Sequence, residues 1–192
     1  MNTNTSKKTF LLVEGALMIA MAFVLSYIKL YDMPMGGSIT LEMIPLVIMG
    51  LRHGVKWGTF TAAVHGIIQL ILGFSNVMYC ATIPAMIGCV LLDYLFAFTV
   101  LGLAGLFLPL FKNKLIGAAV GTAICGALRF LCSFLSGWLL WGSYAPKGWS
   151  VVYYSLIYNG SYMLPNIIIG VIVILIIGKT LSLIHISEPT RR

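Results

Sequence analysis

Two groups of residues in this chain have the types and spacing to do chemistry. The first is a dense aromatic and amide stretch, Trp141-Gly-Ser-Tyr-Ala-Pro-Lys-Gly-Trp149, running on through Tyr154-Ser-Leu-Ile-Tyr-Asn159. Aromatic faces hold a flat ring, and a carboxamide such as Asn159 reads a ring's edge with both a donor and an acceptor. The second is the pair Asp93 and Arg129, each near the middle of a long apolar run. A charge at the centre of a bilayer costs about 3 kcal/mol or more, so such residues face the protein interior and pair or bind something. An Asp93–Arg129 ion pair that fixes helix register is one expectation. The other is that Asp93 neutralises or hydrogen-bonds a ligand, and the two are compatible. Arg129, Ser133, Gly137 and Trp141 recur every four residues, which keeps them near one helical face. Gly137 leaves room beside Trp141 for a planar ring or a neighbouring helix.

The elements that must position these groups are membrane helices. Of 192 residues, 60% are hydrophobic and 9% charged, with a mean hydropathy of +1.01, a composition that excludes an ordinary water-soluble domain. A span needs roughly 20 apolar residues, and the pattern predicts an all-α integral membrane protein, a bundle of about six transmembrane helices. The expected segments are Thr9 to Tyr31, a short second one from Leu41 to Leu51 carrying Pro45, Val55 to Gly73, Ile83 to Pro109, Leu115 to Trp141, and Val152 to Gly178. Arg52-His53-Gly54 reads as a tight turn. Residues 1–8 read as a cytoplasmic N-terminal segment and 9–180 as the membrane domain. Residues 181–192 resemble the translation of a library adapter and are expected to be a non-native tail without a role.

The formal charge of +7 is spread in ones and twos between apolar runs, which argues against nucleic acid and for topology signals. With the N-terminus in the cytoplasm, Lys7, Lys8, Arg52, Lys56, Lys112, Lys114 and Lys179 fall inside and Lys147 outside. Both termini are then cytoplasmic and the aromatic stretch faces out. Trp138, Trp149, Tyr153 and Tyr162 suit an interfacial belt, a role that accounts less well for Asn159, since a buried amide needs partners. Glu14 reads as snorkelling to the interface. Cys80, Cys89, Cys125 and Cys132 lie in or beside apolar runs without metal-ligand spacing and read as packing residues. His65 reads as a hydrogen-bonded packing residue. Gly178-Lys179-Thr180 mimics the end of a phosphate-binding loop, but Val173 stands where the leading glycine is required. No catalytic motif, metal site or ATP-binding motif is recognisable, so ATP would be used by a separate subunit and the chain itself needs no cofactor. Ala16 and Ala20 form a small-xxx-small pair, for packing within the protein or for docking onto another membrane subunit.

The chain resembles the substrate-binding S components of energy-coupling factor (ECF) transporters, and among them the thiamine-specific family. The resemblance runs from about Lys8 to Gly178. It is carried by Met33-Pro-Met-Gly-Gly-Ser38 through Ile44-Pro45 and Arg52-His-Gly-Val-Lys56, by Leu92-Asp-Tyr94, and most specifically by Ser136-Gly137 through Gly142-Ser-Tyr-Ala-Pro-Lys-Gly148 to Asn159. It implies a six-helix protein of the bacterial cell membrane that binds a vitamin from outside, with a transmembrane coupling subunit and two cytoplasmic ATPases as partners. It places the acidic ligand contact on Asp93 with Tyr94 beside it, the stacking tryptophan on Trp141, polar contacts on Tyr154 and Asn159, the close-approach glycine on Gly137, and the docking surface on Ala16 and Ala20. Ser133 stands where the family has a pocket histidine, and Met35, Gly36 and Gly37 occupy a loop where some members place a tryptophan. Thiamine is the expected ligand, with Asp93 suited to the thiazolium cation and Trp141 with Asn159 to the aminopyrimidine. A thiamine precursor or analogue, or another vitamin, is the alternative ligand. An intramembrane enzyme using Asp93, or a structural subunit whose aromatics only anchor the interface, are alternatives of a different class.

Overall fold

The computed structural model describes residues 3–34 and 36–180, with side chains from 7 to 179. Met35 and the adapter-like segment 181–192 lie outside the described residues. Long helices dominate: α1 (Thr3–Tyr27), α2 (Met43–Leu72), the short α3 (Phe74–Met78), α4 (Ile83–Leu110), α5 (Lys114–Leu139) and α6 (Val151–Thr180). A two-residue antiparallel pair, β1 (Tyr31–Asp32) and β2 (Ser38–Ile39), closes the α1–α2 connection. Five of the helices are long and apolar enough to cross a membrane. The first ends four residues earlier than expected, at Tyr27, and residues 3–8 are already helical.

Helix α2 is two helices. Gly54 sits inside it at φ 77°, ψ 176°, a conformation that only glycine adopts without strain. A straight helix would separate Glu42 from Gln69 by about 40 Å, yet their side chains are 3.1 Å apart. The chain therefore reverses at Gly54, as the Arg52-His53-Gly54 turn predicts, and the bundle has six long helical segments. The two arms cross at bare backbone: a Cβ on Gly58 would lie against Gly50 and 2.6 Å from the Gly102 carbonyl oxygen of α4. Gly102→Val is expected to cost about 2–3 kcal/mol or more through overpacking, read as loss of monodisperse protein on detergent extraction.

Around this crossing lies the main apolar core, with Met43, Leu46, Val47, Leu51, Ala62, Phe98, Leu101, Ala118 and Ile174 buried. The polar groups at helix starts are satisfied locally. Asn113 accepts from the Leu115 and Ile116 amides at 2.9 and 3.4 Å, and Thr82 accepts from Ala85 at 3.3 Å. Outward-facing Leu17, Ile71, Ile83, Leu110, Ile168 and Ile176 are exposed, as a lipid-facing surface requires. Glu14 does not snorkel. It is buried and bonded to Arg52 at 2.7 Å and His53 at 2.8 Å, tying α1 to the Gly54 turn. Ala16 and Ala20 are exposed while Gly15 and Ala22 are buried, so the alanine pair does not pack within the chain.

Candidate functional site

Helix α4 is not uniform. Residues Val90–Phe96 form a π-helical stretch, a local widening that recurs at functional sites. Asp93 lies in it, half-buried. Its Oδ2 accepts from the Ser136 hydroxyl at 2.7 Å and from the Trp141 indole N–H at 3.3 Å. The Trp141 N–H lies 3.2 Å from the Ser136 hydroxyl as well. Asp93, Ser136 and Trp141 are thus joined, with the Trp141 ring half-buried and 5.9 Å from the Tyr144 ring.

The expected Asp93–Arg129 pair does not form. Arg129 instead bonds the Glu42 carboxylate at 2.6 Å and lies over the Phe98 ring at 4.3 Å. The Gly54 reversal brings Glu42 there, at the start of α2, together with Gln69 at 3.1 Å and His65 at 4.0 Å. His65 is fully buried, 3.4 Å from Gln69 and edge-on to Phe98, as a packing histidine would be. Lys29 pairs with Asp32, and Glu14 with Arg52 and His53. Among the described residues Asp93 is therefore the carboxylate without a cationic partner.

A second cluster lies against the first. A Cβ on Gly137 would strike the Ser155 hydroxyl and sit 2.8 Å from the Asn159 amide nitrogen. Asn159 is buried, and its Nδ2 donates to the Ser155 carbonyl at 3.0 Å and hydroxyl at 3.2 Å. Its Oδ1 accepts from the Tyr162 hydroxyl at 2.8 Å. Both amide hydrogens are occupied, so Asn159 has one acceptor lone pair to offer a ligand, suited to an amino group. Tyr162 joins the Asn159 cluster through its hydroxyl. Ser133 lies one turn before Gly137 on α5.

Tyr94 points away from the Asp93 carboxylate. Its hydroxyl donates to the Gly73 carbonyl at 3.0 Å and its ring packs in a small cluster with Trp141, Cys80 and Cys89. Tyr154 stands half-buried with its ring 5.5 Å from Tyr158. Trp149 and Tyr153 pair at 4.9 Å and are exposed, as interfacial belt residues would be. The four cysteines are free thiols.

The β1–β2 hairpin is pinned onto α6 beside these residues. Asn166 accepts from the Thr40 amide and donates to the Ser38 carbonyl, both at 2.9 Å, and the Tyr158 hydroxyl donates to the Gly36 carbonyl at 3.0 Å. Gly37, at φ +88°, lies against the Tyr162 ring. Asn166→Ala is expected to loosen the hairpin by about 2 kcal/mol, the worth of two hydrogen bonds, read as faster amide exchange of Ser38 to Thr40.

Comparison with known proteins places these residues in context. Residues 12–186 match the family described as Thiamine transporter protein (Thia_YuaJ). The chain is 37% identical over 188 residues to the thiamine transporter ThiT of Bacillus subtilis, covering 92% of this chain and 94% of that one. It is 29% identical over 177 residues to ThiT of Lacticaseibacillus paracasei, covering 88% and 86%. The solved structure of ThiT from Listeria monocytogenes superposes with a TM-score of 0.76 at 28% identity, covering 92% of this chain and 97% of that one.

Proposed function

The chain belongs to the thiamine transporter protein family, a multi-pass bacterial membrane family of transporters and not of enzymes, and from that premise we propose that it captures thiamine from the outer face as the S component of an ECF-type transporter. The observation that carries this reading is the unpaired Asp93. Every other described carboxylate has a cation beside it, whereas Asp93 is held by a hydroxyl and an indole. A half-buried carboxylate oriented by neutral donors is a receptor for a positive charge, which a thiazolium supplies. The Trp141 ring offers the adjacent stacking face, and the free lone pair of Asn159 suits the exocyclic amino group of the aminopyrimidine. Tyr94 packs in the same small cluster as Trp141, Tyr154 stands next to Tyr158 on α6, and Gly137, one turn beyond Ser133, lets α5 approach Ser155 and Asn159 closely.

Binding by this chain supplies capture only. Delivery falls to a transmembrane coupling subunit docked on Ala16 and Ala20, with ATP hydrolysed by two cytoplasmic ATPase subunits. The exposure of both alanines supports that assignment, and the basic residues favour cytoplasmic termini. Titrating the purified protein with thiamine should quench tryptophan fluorescence saturably below micromolar ligand. Unchanged fluorescence and no heat of binding from folded protein would rule the reading out.

A further inference from the structure

The Glu42–Arg129 pair lies beside the candidate site yet contributes to neither of its two clusters. We propose that Glu42 is a specificity-determining residue: by holding the Arg129 guanidinium it leaves the pocket with one net negative charge, and so selects a monocationic ligand over its phosphate ester. The inference rests on the thiamine reading above.

Three charged side chains line this part of the bundle: Asp93, Glu42 and Arg129. His65 adds none, because it is fully buried with its Nδ1 unpartnered, a state open to the neutral ring and costly for the charged one. Glu42 and Arg129 meet at 2.6 Å, with side-chain exposures of 12% and 15%, so they cancel at a distance while Asp93 does not. Arg129 is two helical turns from Gly137 on the same face of α5, roughly 12 Å along the axis. A unit charge at about that distance, at an effective dielectric constant of about 20, changes affinity on the order of tenfold. A phosphate on the ligand cancels or reverses the thiazolium charge. An unmasked Arg129 would attract that phosphate and repel the unphosphorylated cation. Glu42 holds the guanidinium from one side, and the Phe98 face covers it from another.

The test is a charge series read as the affinity ratio of thiamine to thiamine monophosphate. Glu42→Gln keeps an amide oxygen for Arg129 but adds a net positive charge, and the ratio should fall on the order of tenfold or more. Arg129→Gln should raise the ratio by a similar factor. The double variant restores the net charge and should restore the wild-type ratio. A purely structural pair would lower both affinities together and leave the ratio alone. An unchanged ratio in either single variant, or a double variant that keeps the single variant's shift, overturns the proposal while leaving thiamine capture intact. Wild-type protein that binds no thiamine would remove both. Should Glu42→Gln fail to fold, the Arg129→Gln arm still decides, because an unchanged ratio there contradicts the charge argument.

Discussion

Asp93→Asn should cut thiamine affinity about 100-fold while leaving the empty protein as stable as before, or more so. The affinity loss follows from replacing a charge-assisted contact to a cation, worth about 2–3 kcal/mol, with a neutral one. The stability forecast follows from the apo geometry. An amide oxygen at the same place still accepts from Ser136 and Trp141, and the variant no longer keeps an unpaired charge out of water. Calorimetry of binding and thermal melting of the ligand-free protein measure the two halves separately. If Asp93 served only to tie α4 to α5, the variant would keep its affinity as well as its stability. A lost affinity with an unchanged or raised melting temperature therefore assigns Asp93 to the ligand.

Trp141→Ala should weaken thiamine binding by about 2–3 kcal/mol, a 30- to 150-fold loss, through the missing stacking face and cation–π contact. The same residue packs with Tyr94, Cys80, Cys89 and Val77, so the alanine variant should also loosen the α3 region. Trp141→Phe separates these effects. It keeps a ring for stacking and packing but removes the N–H that reaches Asp93 and Ser136, and about 1 kcal/mol of affinity should go with it. Equal affinities for the wild type and Trp141→Ala would place the ligand elsewhere. Side-by-side titrations of the three proteins, with proteolysis near Phe74 to Met78 as the local stability readout, distinguish the outcomes.

Much of the architecture is legible in the chain itself because the bilayer imposes a simple rule on hydropathy. The six segments follow from apolar run length, and the reversal at Gly54 follows from Arg52-His53-Gly54 between two such runs. The partnership of charges is harder to read. Asp93 and Arg129 both sit in mid-run, so pairing them is the economical expectation, whereas Glu42 stands near the start of the short segment from Leu41 to Leu51, where hydropathy gives no sign of its partner. Only the hairpin form of α2 brings it against Arg129 and Gln69. Glu14 misleads in the same way: its position near a helix start suggests snorkelling, but the Gly54 turn supplies Arg52 and His53. Ser136 is adjacent to the glycine that the four-residue spacing selects, and one position on a helix is a rotation of about 100°. The spacing keeps Gly137 on the face toward Ser155 and Asn159, while Asp93, within the π-helical stretch of α4, meets Ser136. That widening has no signature in hydropathy. Tyr162 resembles every other aromatic near a membrane edge until its hydroxyl is seen on Asn159.

In the proposed function, an unpaired carboxylate in the membrane receives the ligand's positive charge. Calorimetric titration with thiamine and with its uncharged isostere, in which a thiophene replaces the thiazolium, tests it most directly. The wild type should prefer thiamine by at least about 30-fold, as expected for a charge-assisted contact of about 2 kcal/mol or more, and Asp93→Asn should erase most of that preference. Equal affinity of the wild type for the two compounds would show that Asp93 does not receive the thiazolium charge.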